Sequence, residues 1–477
     1  MATEIPQNRA AFSLDEVLRA SSGRLLGEPG GDVRGVATDT RASLAGKLFV
    51  ALRGERFDGH DFLDRAVGAG AAALLVEREP ERDLGVPVVL VDSSLAALGA
   101  LAGLYRKRWG GTVVAVGGSA GKTTTRSAIT AVLDEVMPGA VHYARGNLNN
   151  RVGVPMVLFG ALPEHRVVVL EIGTNQPGEV AALARASAPE LAVVTLIGME
   201  HAEGLGDLDA IEAEEGELFA ALPASGVAVG NGDDPRVRRQ LARSPAATRV
   251  TYGTHAGSSY LLARRAPRGL ASTEVEIERA GGSVVFEAAL IGEAGALAVT
   301  AALAVAERLT ARLLDAATLA RAFAADRVGE PGRLRPVELS DGTVLIDDTY
   351  NSNPASVLAS VATAREIARE RGARLILVLG EMRELGAASA REHDGVGRAL
   401  LASEPAVLVG VAGDAHRLVA PAQAAGCDAV FVEDAESALP EVLGRVRSGD
   451  VVLVKASRGV RAERVVEGLA RARGGAA

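Results

Sequence analysis

The chain has 477 residues, a net charge of −9 and a hydrophobic fraction of 48%, enough material for several cores, and about three domains are expected at ~150 residues each. No apolar stretch reaches the ~18 uncharged residues of a membrane span, and Met1 to Ala20 carry Glu4, Arg9, Asp15 and Glu16 without an apolar h-region, so no span and no secretory signal are expected. The acidic balance, without any basic run, argues against nucleic acid as a partner; the single cysteine, Cys427, excludes an internal disulfide and is expected to be a buried small hydrophobe in a cytoplasmic protein.

Residues 1–109 mix short strands with Ala-rich helices. The strands are Lys47 to Leu52, Ala72 to Val76 and Pro87 to Val91, and a helix from Ser94 to Arg108 ends at Trp109-Gly110-Gly111. Residues 110–328 open with the apolar run Thr112 to Val116, a Gly-rich turn and a helix from about Thr123. Apolar strands follow at Val167 to Glu171, Leu191 to Ile197 and Val227 to Asn231. Their β-branched composition and the helical patterns between them predict βαβ units and a buried parallel sheet. Tyr260 to Ala263, Glu274 to Glu278 and Val284 to Ala288 read as a small antiparallel meander. Residues 329–477 begin at Gly329-Glu330-Pro331-Gly332. Strands at Val344 to Asp347, Leu375 to Leu379, Val407 to Val411, Ala429 to Val432 and Val451 to Val454 alternate with helices, which predicts a second, Rossmann-like doubly wound layer. The fold class expected is therefore α/β in three domains: a small N-terminal domain, a central P-loop mononucleotide-binding sheet and the Rossmann-like C-terminal domain.

The central chemistry lies in Gly117-Gly118-Ser119-Ala120-Gly121-Lys122-Thr123-Thr124. A Gly-rich turn between a strand and a helix lets backbone N–H groups converge on phosphate oxygens at the helix N-terminus. Lys122 would reach the β- and γ-phosphates, and the Thr123 hydroxyl would bind Mg²⁺. The strict pattern fails by one residue, because Val116 stands where its first glycine belongs; a plain glycine turn is the competing reading. Composition favours the phosphate loop. The chain has only four lysines, Lys47, Lys107, Lys122 and Lys455, so a lysine is kept where a compact ammonium matters. Glu171 ends an apolar strand, at the edge where parallel sheets bind ligands. His201 follows a strand to the same edge, and its imidazole can ligate a metal.

The segment Gly146-Asn147-Leu148-Asn149-Asn150 with Gly153-Val154-Pro155 resembles the stretch after the phosphate loop in the Mur ligase family. Further matches run along the chain. They are Asp39-Thr40-Arg41, Gly46 to Leu52, Gly54-Glu55-Arg56-Phe57-Asp58-Gly59-His60, Glu171-Ile172-Gly173 with Gly178-Glu179, and His201-Ala202-Glu203-Gly204. In the last third they are Pro331-Gly332-Arg333, Asp347-Asp348-Thr349-Tyr350-Asn351-Ser352-Asn353-Pro354 and Leu379-Gly380-Glu381-Met382. The resemblance implies an ATP-dependent ligase that joins D-alanyl-D-alanine to UDP-N-acetylmuramoyl-tripeptide through an acyl phosphate, with Mg²⁺. Residues 1–109 would bind the nucleotide sugar, 110–328 the ATP and 329–477 would admit the dipeptide. Lysine and diaminopimelate fit equally as the tripeptide's third residue, and a monomer is expected.

The resemblance also implies roles. Lys122, Glu171, His201 and Arg333 would carry catalysis. The phosphate loop, Asn149, Arg333, Asp347 and Asn351 would hold ATP. Thr40, Arg41, Phe57, Asp58, Gly59, His60, Asn147, Asn175, Tyr350 and Asn353 would contact substrates. Thr123, Glu171, His201 and Glu215 would bind the metal. Lys455 ends the last strand, with its role open.

Two departures stand out. Related ligases present a carbamylated lysine to the second Mg²⁺, yet no lysine lies between Lys122 and Lys455. Glu215 occupies the matching position and is expected to supply the carboxylate directly, or through a bridging water. At Gly292-Glu293-Ala294-Gly295-Ala296 the family's polar adenine contacts are absent. Three rival readings stay open: folylpolyglutamate synthase, a non-catalytic nucleotide-binding regulator and a simple kinase.

Overall fold

A computed structural model describes residues 7–54, 57–144 and 146–474. Glu55 and Arg56 of the N-terminal motif lie outside the described residues. Three main sheets follow one another along the chain, of five, nine and six strands, with a two-stranded ribbon at the start. The five-stranded sheet runs in the order Arg24–Leu26, Val88–Leu90, Ala73–Val76, Leu48–Val50 and Val36–Ala37.

The central sheet is built on the strand Thr112–Gly117. It pairs in parallel with Val167–Glu171 on one side and Leu191–Val194 on the other. Residue alternation explains its depth in the fold. Val113 and Ala115 join one core, Val114 and Val116 the opposite one, and all four are fully buried. The chain winds first one way from this strand and then the other, so its C-terminal end lies at a topological switch point. The expected meander exists, with longer strands: Tyr260–Arg268, Ser272–Arg279 and Gly282–Ala288. It is not separate. Thr248–Gly253 pairs with its first strand and makes the meander one wing of the nine-stranded sheet.

The third sheet has the order Arg335–Glu338, Val344–Asp348, Val451–Lys455, Leu375–Gly380, Val407–Val411 and Asp428–Val432, and only its first pair is antiparallel. Its helix Pro354–Arg371 packs across the central helix Gly292–Thr310. The approach is close. Gly292 has φ 69°, and a Cβ there would lie 2.1 Å from Thr363 Oγ1. Cys427 is half-buried rather than buried, its thiol directed at the Pro405 carbonyl. Among the described residues no helix is long and apolar enough to cross a membrane.

One strand ends earlier than its apolar run suggests. Leu191–Val194 stops three residues short of Ile197 because Thr195, Leu196 and Ile197 turn their polar groups to other partners. Thr195 Oγ1 donates to the carbonyls of Ala120 (2.6 Å) and Gly117 (3.1 Å), and the Leu196 carbonyl accepts from Ser119 N at 2.7 Å. Ile197 N donates to Asp234 Oδ2 at 2.7 Å. The segment thus clamps the glycine loop instead of lengthening the sheet.

Candidate active site

The loop after Thr112–Gly117 wraps a cavity of about 610 Å³ between the second and third sheets. Gly118 has φ 116°, and a Cβ there would fall 2.3 Å from Thr195 Oγ1 and 2.9 Å from the Leu196 carbonyl. Only glycine suits that close approach. Gly121, at φ 84°, then opens the helix Lys122–Val136, whose first N–H groups face the cavity unpaired within the helix. Ser119, Ala120, Gly121, Lys122, Thr123 and Thr124 all line the cavity.

Lys122 is faced by carboxylates. Its Nζ lies 3.2 Å from Glu200 Oε1, and it also donates to the Gly118 carbonyl. Burial lowers the ammonium's pKa, but Glu200, Glu215 and Glu171 outweigh it and hold the group above its ordinary value. Glu171, 5% exposed, ends its strand beside the loop and accepts from Asn149 Nδ2 at 2.9 Å. Its Oε2 stands 3.5 Å from Arg126 Nε, an ion contact only. Glu215, on the helix Leu208–Ala220, is 1% exposed and accepts from Gly118 N at 2.7 Å. Burial, opposed by Lys122, pushes the Glu215 carboxyl up to about 7. His201 lies in the left-handed region at φ 47°. Its Nδ1 is ion-paired with Glu384 and its Nε2 is 3.8 Å from Glu200 Oε2. Burial opposes its charge, yet Glu384 and Glu200 raise its pKa.

The third sheet closes the cavity. Arg333 Nη2 donates to Thr123 Oγ1 at 3.1 Å, and its guanidinium lies 4.0 Å from the centre of the Tyr350 ring. Arg458 approaches the same ring at 5.3 Å. Asn353 caps the helix Pro354–Arg371, and its Nδ2 donates to the Ser119 carbonyl at 3.0 Å. Lys455 is buried at the end of its strand; its Nζ donates to Asp348 Oδ2 at 2.7 Å and to the Asn351 carbonyl at 2.9 Å.

Most of the expected residues therefore meet. Lys122, Thr123, Asn147, Asn149, Glu171, Asn175, His201, Arg333, Tyr350, Asn351 and Asn353 share the cavity. Asp347 does not join them. It accepts from the backbone and hydroxyl of Thr349 at 3.1 and 2.7 Å, closing a turn, while its neighbour Asp348 lines the cavity. Strand alternation accounts for the exchange, since successive side chains point to opposite faces. Glu215 sits beneath the loop and is not among the cavity-lining residues. Thr40, Arg41, Phe57, Asp58, Gly59 and His60 lie apart from the cavity on the first domain. There Asp58 Oδ1 caps the turn by accepting from His60 N at 2.9 Å, and His60 Nε2 accepts from Glu77 N at 2.8 Å. Phe57, by contrast, is 62% exposed. Leu290, Ile291, Ala294 and Gly295 form an apolar stretch of the cavity lining, as the missing polar pair requires.

A divalent cation fits this chemistry. Among the described residues, Glu171 Oε2 and Glu215 Oε1 are buried oxygens with no hydrogen-bond partner. No three His, Cys, Asp or Glu groups converge on one point among the described residues. Mg²⁺ does not demand such a cage, because it is held by one or two carboxylates together with phosphates and water.

A phosphate cradle at the switch point of one parallel sheet, completed by side chains from a second sheet, is the site of an enzyme that uses a nucleoside triphosphate. The comparisons narrow the class. Residues 32–106 match the Mur ligase family catalytic domain, 116–306 the Mur ligase middle domain and 332–458 the Mur ligase glutamate ligase domain. The chain belongs to the Mur ligase family. It is 35% identical to the UDP-N-acetylmuramoyl-tripeptide--D-alanyl-D-alanine ligase of Escherichia coli, over 91% of this chain and 93% of that one. MurF from Acinetobacter baumannii superposes with a TM-score of 0.87 at 26% identity, covering 99% of this chain and 100% of that one. MurF ligase from Thermotoga maritima in complex with ADP superposes at 0.79 and 29% identity, over 91% and 97%.

Proposed function

We propose that the chain joins D-alanyl-D-alanine to UDP-N-acetylmuramoyl-tripeptide with ATP, yielding the muramoyl pentapeptide, ADP and phosphate. The observation that carries this reading is the bond from Arg333 to Thr123, which brings a cation of the third domain onto the phosphate loop.

An amide does not form from a free carboxylate and an amine in water without activation. The tripeptide's terminal carboxylate therefore attacks the γ-phosphorus, the bond to ADP breaks and an acyl phosphate results. The dipeptide amine then attacks the acyl carbon, loses a proton, and phosphate leaves. Both steps gather negative charge at one point, so positioning and electrostatics dominate. Lys122 and the loop N–H groups hold the β- and γ-phosphates. Arg333 neutralises charge on the transferred group only when the third domain is closed, which also keeps water from the acyl phosphate. Thr123, Glu171 and His201 would hold Mg²⁺, which supplies charge neutralisation on the phosphate oxygens. Glu215 has one oxygen committed to Gly118 N, so only Oε1 is left for the metal or a bridging water.

Asn149 and Asn351 belong with the nucleotide in this proposal. Asn147, Asn175, Tyr350 and Asn353 face the tripeptide and dipeptide. Thr40, Arg41 and the stretch Phe57 to His60 take the uridine end, for which the exposed Phe57 ring offers a stacking face. Both halves of the phosphate site come from one chain, which supports a working monomer. Its nucleotide substrates support a cytoplasmic reaction.

Phosphate release is the test. It should require ATP, the muramoyl tripeptide and D-alanyl-D-alanine together. Release with ATP alone, or with folate and glutamate, rejects the reading.

A further inference from the structure

We propose that Glu200 is an exchanging carboxylate of the phosphate site. It neutralises Lys122 before nucleotide binds, and it turns to the nucleotide-bound divalent cation once the phosphates take the lysine. This inference rests on the phosphate-site reading above.

Glu200 is 4% exposed and lines the cavity. Its carboxylate stands between the Lys122 ammonium and the His201 imidazole, 3.2 Å from Nζ and 3.8 Å from Nε2. The lysine that the phosphates need is therefore already paired. A triphosphate arriving there competes with Glu200 for the same ammonium. A buried carboxylate left beside phosphate oxygens without a countercharge is strongly unfavourable. A divalent cation between them removes that repulsion and gives the displaced carboxylate a partner.

Independent of Glu200, the same cavity holds Glu171 Oε2, a buried oxygen with no hydrogen-bond partner among the described residues. The hydroxyl of Thr123 faces that cavity as well. Glu215 is worse placed for the task. One of its oxygens holds the Gly118 amide, and its side chain lies behind the loop rather than on the cavity wall. Between Lys122 and Lys455 the chain has no lysine to carry an added carboxylate. Glu384 also lines the cavity and pairs with His201, but Glu200 is the carboxylate that faces both Lys122 and His201, and it takes over the part that position alone suggests for Glu215.

Equilibrium binding separates the two glutamates without reference to turnover. Isothermal titration with a non-hydrolysable ATP analogue is run with and without Mg²⁺ on the full chain, Glu200→Gln, Glu200→Asp and Glu215→Gln. Without Mg²⁺, Glu200→Gln should bind the analogue roughly tenfold tighter than the parent, because the lysine has lost its competitor. With Mg²⁺ the parent should tighten strongly, Glu200→Gln should gain little, and Glu200→Asp should keep part of the gain. Glu215→Gln should keep most of it. Mn²⁺ bound with the analogue should show an altered paramagnetic resonance spectrum in Glu200→Gln. Parental behaviour of Glu200→Gln in both conditions overturns the proposal, as does loss of the Mg²⁺ gain in Glu215→Gln alone. A parent chain that binds no nucleotide rejects the phosphate site itself, a distinct result.

Discussion

Arg333 Nη2 and Thr123 Oγ1 meet at 3.1 Å although 210 residues separate them in sequence. The guanidinium is held by the Tyr350 ring at 4.0 Å, so its direction is set before any phosphate arrives. Preorganised cations of this kind act on charge that develops in the transition state. Arg333→Ala should lower kcat by about 10²-fold while nucleotide affinity changes far less. Arg333→Lys should not restore the rate, because an ammonium lacks the planar fork that stacks on Tyr350. Steady-state phosphate release and analogue binding, compared side by side, check this.

Asn353 does two jobs and Ser356 shares one of them. Both belong to the capping box of Pro354–Arg371, yet only Asn353 reaches the Ser119 carbonyl. Asn353→Ala should lose about 1 kcal/mol of stability from the cap. Ser356→Ala breaks the reciprocal half of the box and should fall in melting temperature by a comparable or smaller amount. Only Asn353→Ala should also lose roughly fivefold or more in kcat/KM for ATP, through the missing buried hydrogen bond. Equal kinetic losses in the two variants would remove the domain-bridging role.

Lys455 and Asp348 form a buried pair at 2.7 Å. Asp348 also accepts from Ser360 Oγ at 2.6 Å and from Leu334 N at 3.2 Å. Removing the lysine alone leaves a buried carboxylate without its countercharge. Lys455→Met should cost about 3–5 kcal/mol, read from the denaturant midpoint of the third domain's signal. The double variant with Asp348→Asn should cost less than the two single changes added together.

Glu212 ties the helix Leu208–Ala220 to Pro235–Arg243. Arg239 above all, then Gln240 and Arg236 against the opposing effect of burial, holds its carboxyl at about 2 instead of 4.5. A depressed carboxylate pKa means that the folded state binds the proton less readily than the unfolded one. Its stabilisation is present above pH 4.5 and is lost as pH falls towards about 2. Glu212→Gln should be less stable than the parent at neutral pH, and the gap should close across that acid window. Thermal unfolding followed from pH 7 downward tests the sign.

Much of this was legible from sequence for a physical reason. A phosphate cradle needs backbone in conformations that glycine supplies, so Gly117 to Thr124 carries its chemistry in its composition. Strand ends at a parallel sheet edge made Glu171 and His201 readable too. Glu200 was not. It is one acidic residue before a histidine, and its meaning comes only from Lys122, whose side chain reaches it across the loop. The Lys455–Asp348 pair spans 107 residues and two adjacent strands, which periodicity does not register. Asp347 and Asp348 stand side by side at a strand end, and nothing in sequence shows which of the two faces the next domain covers. The strand Leu191–Val194 ends before its apolar run does, because the partners of Thr195 and Leu196 lie in the loop they clamp and that of Ile197 is Asp234, none of which the run itself reveals.

The bare backbone at Gly292 has a consequence for how far the enzyme can shut. With Thr363 Oγ1 only 2.1 Å from where a Cβ would stand, the helix of the third domain rests almost directly on the start of the central one. That residue works as a stop of zero thickness. A single methyl group there is a doorstop: Arg333 and Asn353 would be intact, correctly oriented on their own domain, and held out of reach of the loop they complete. At that contact the two domains meet over a side chain that was left out.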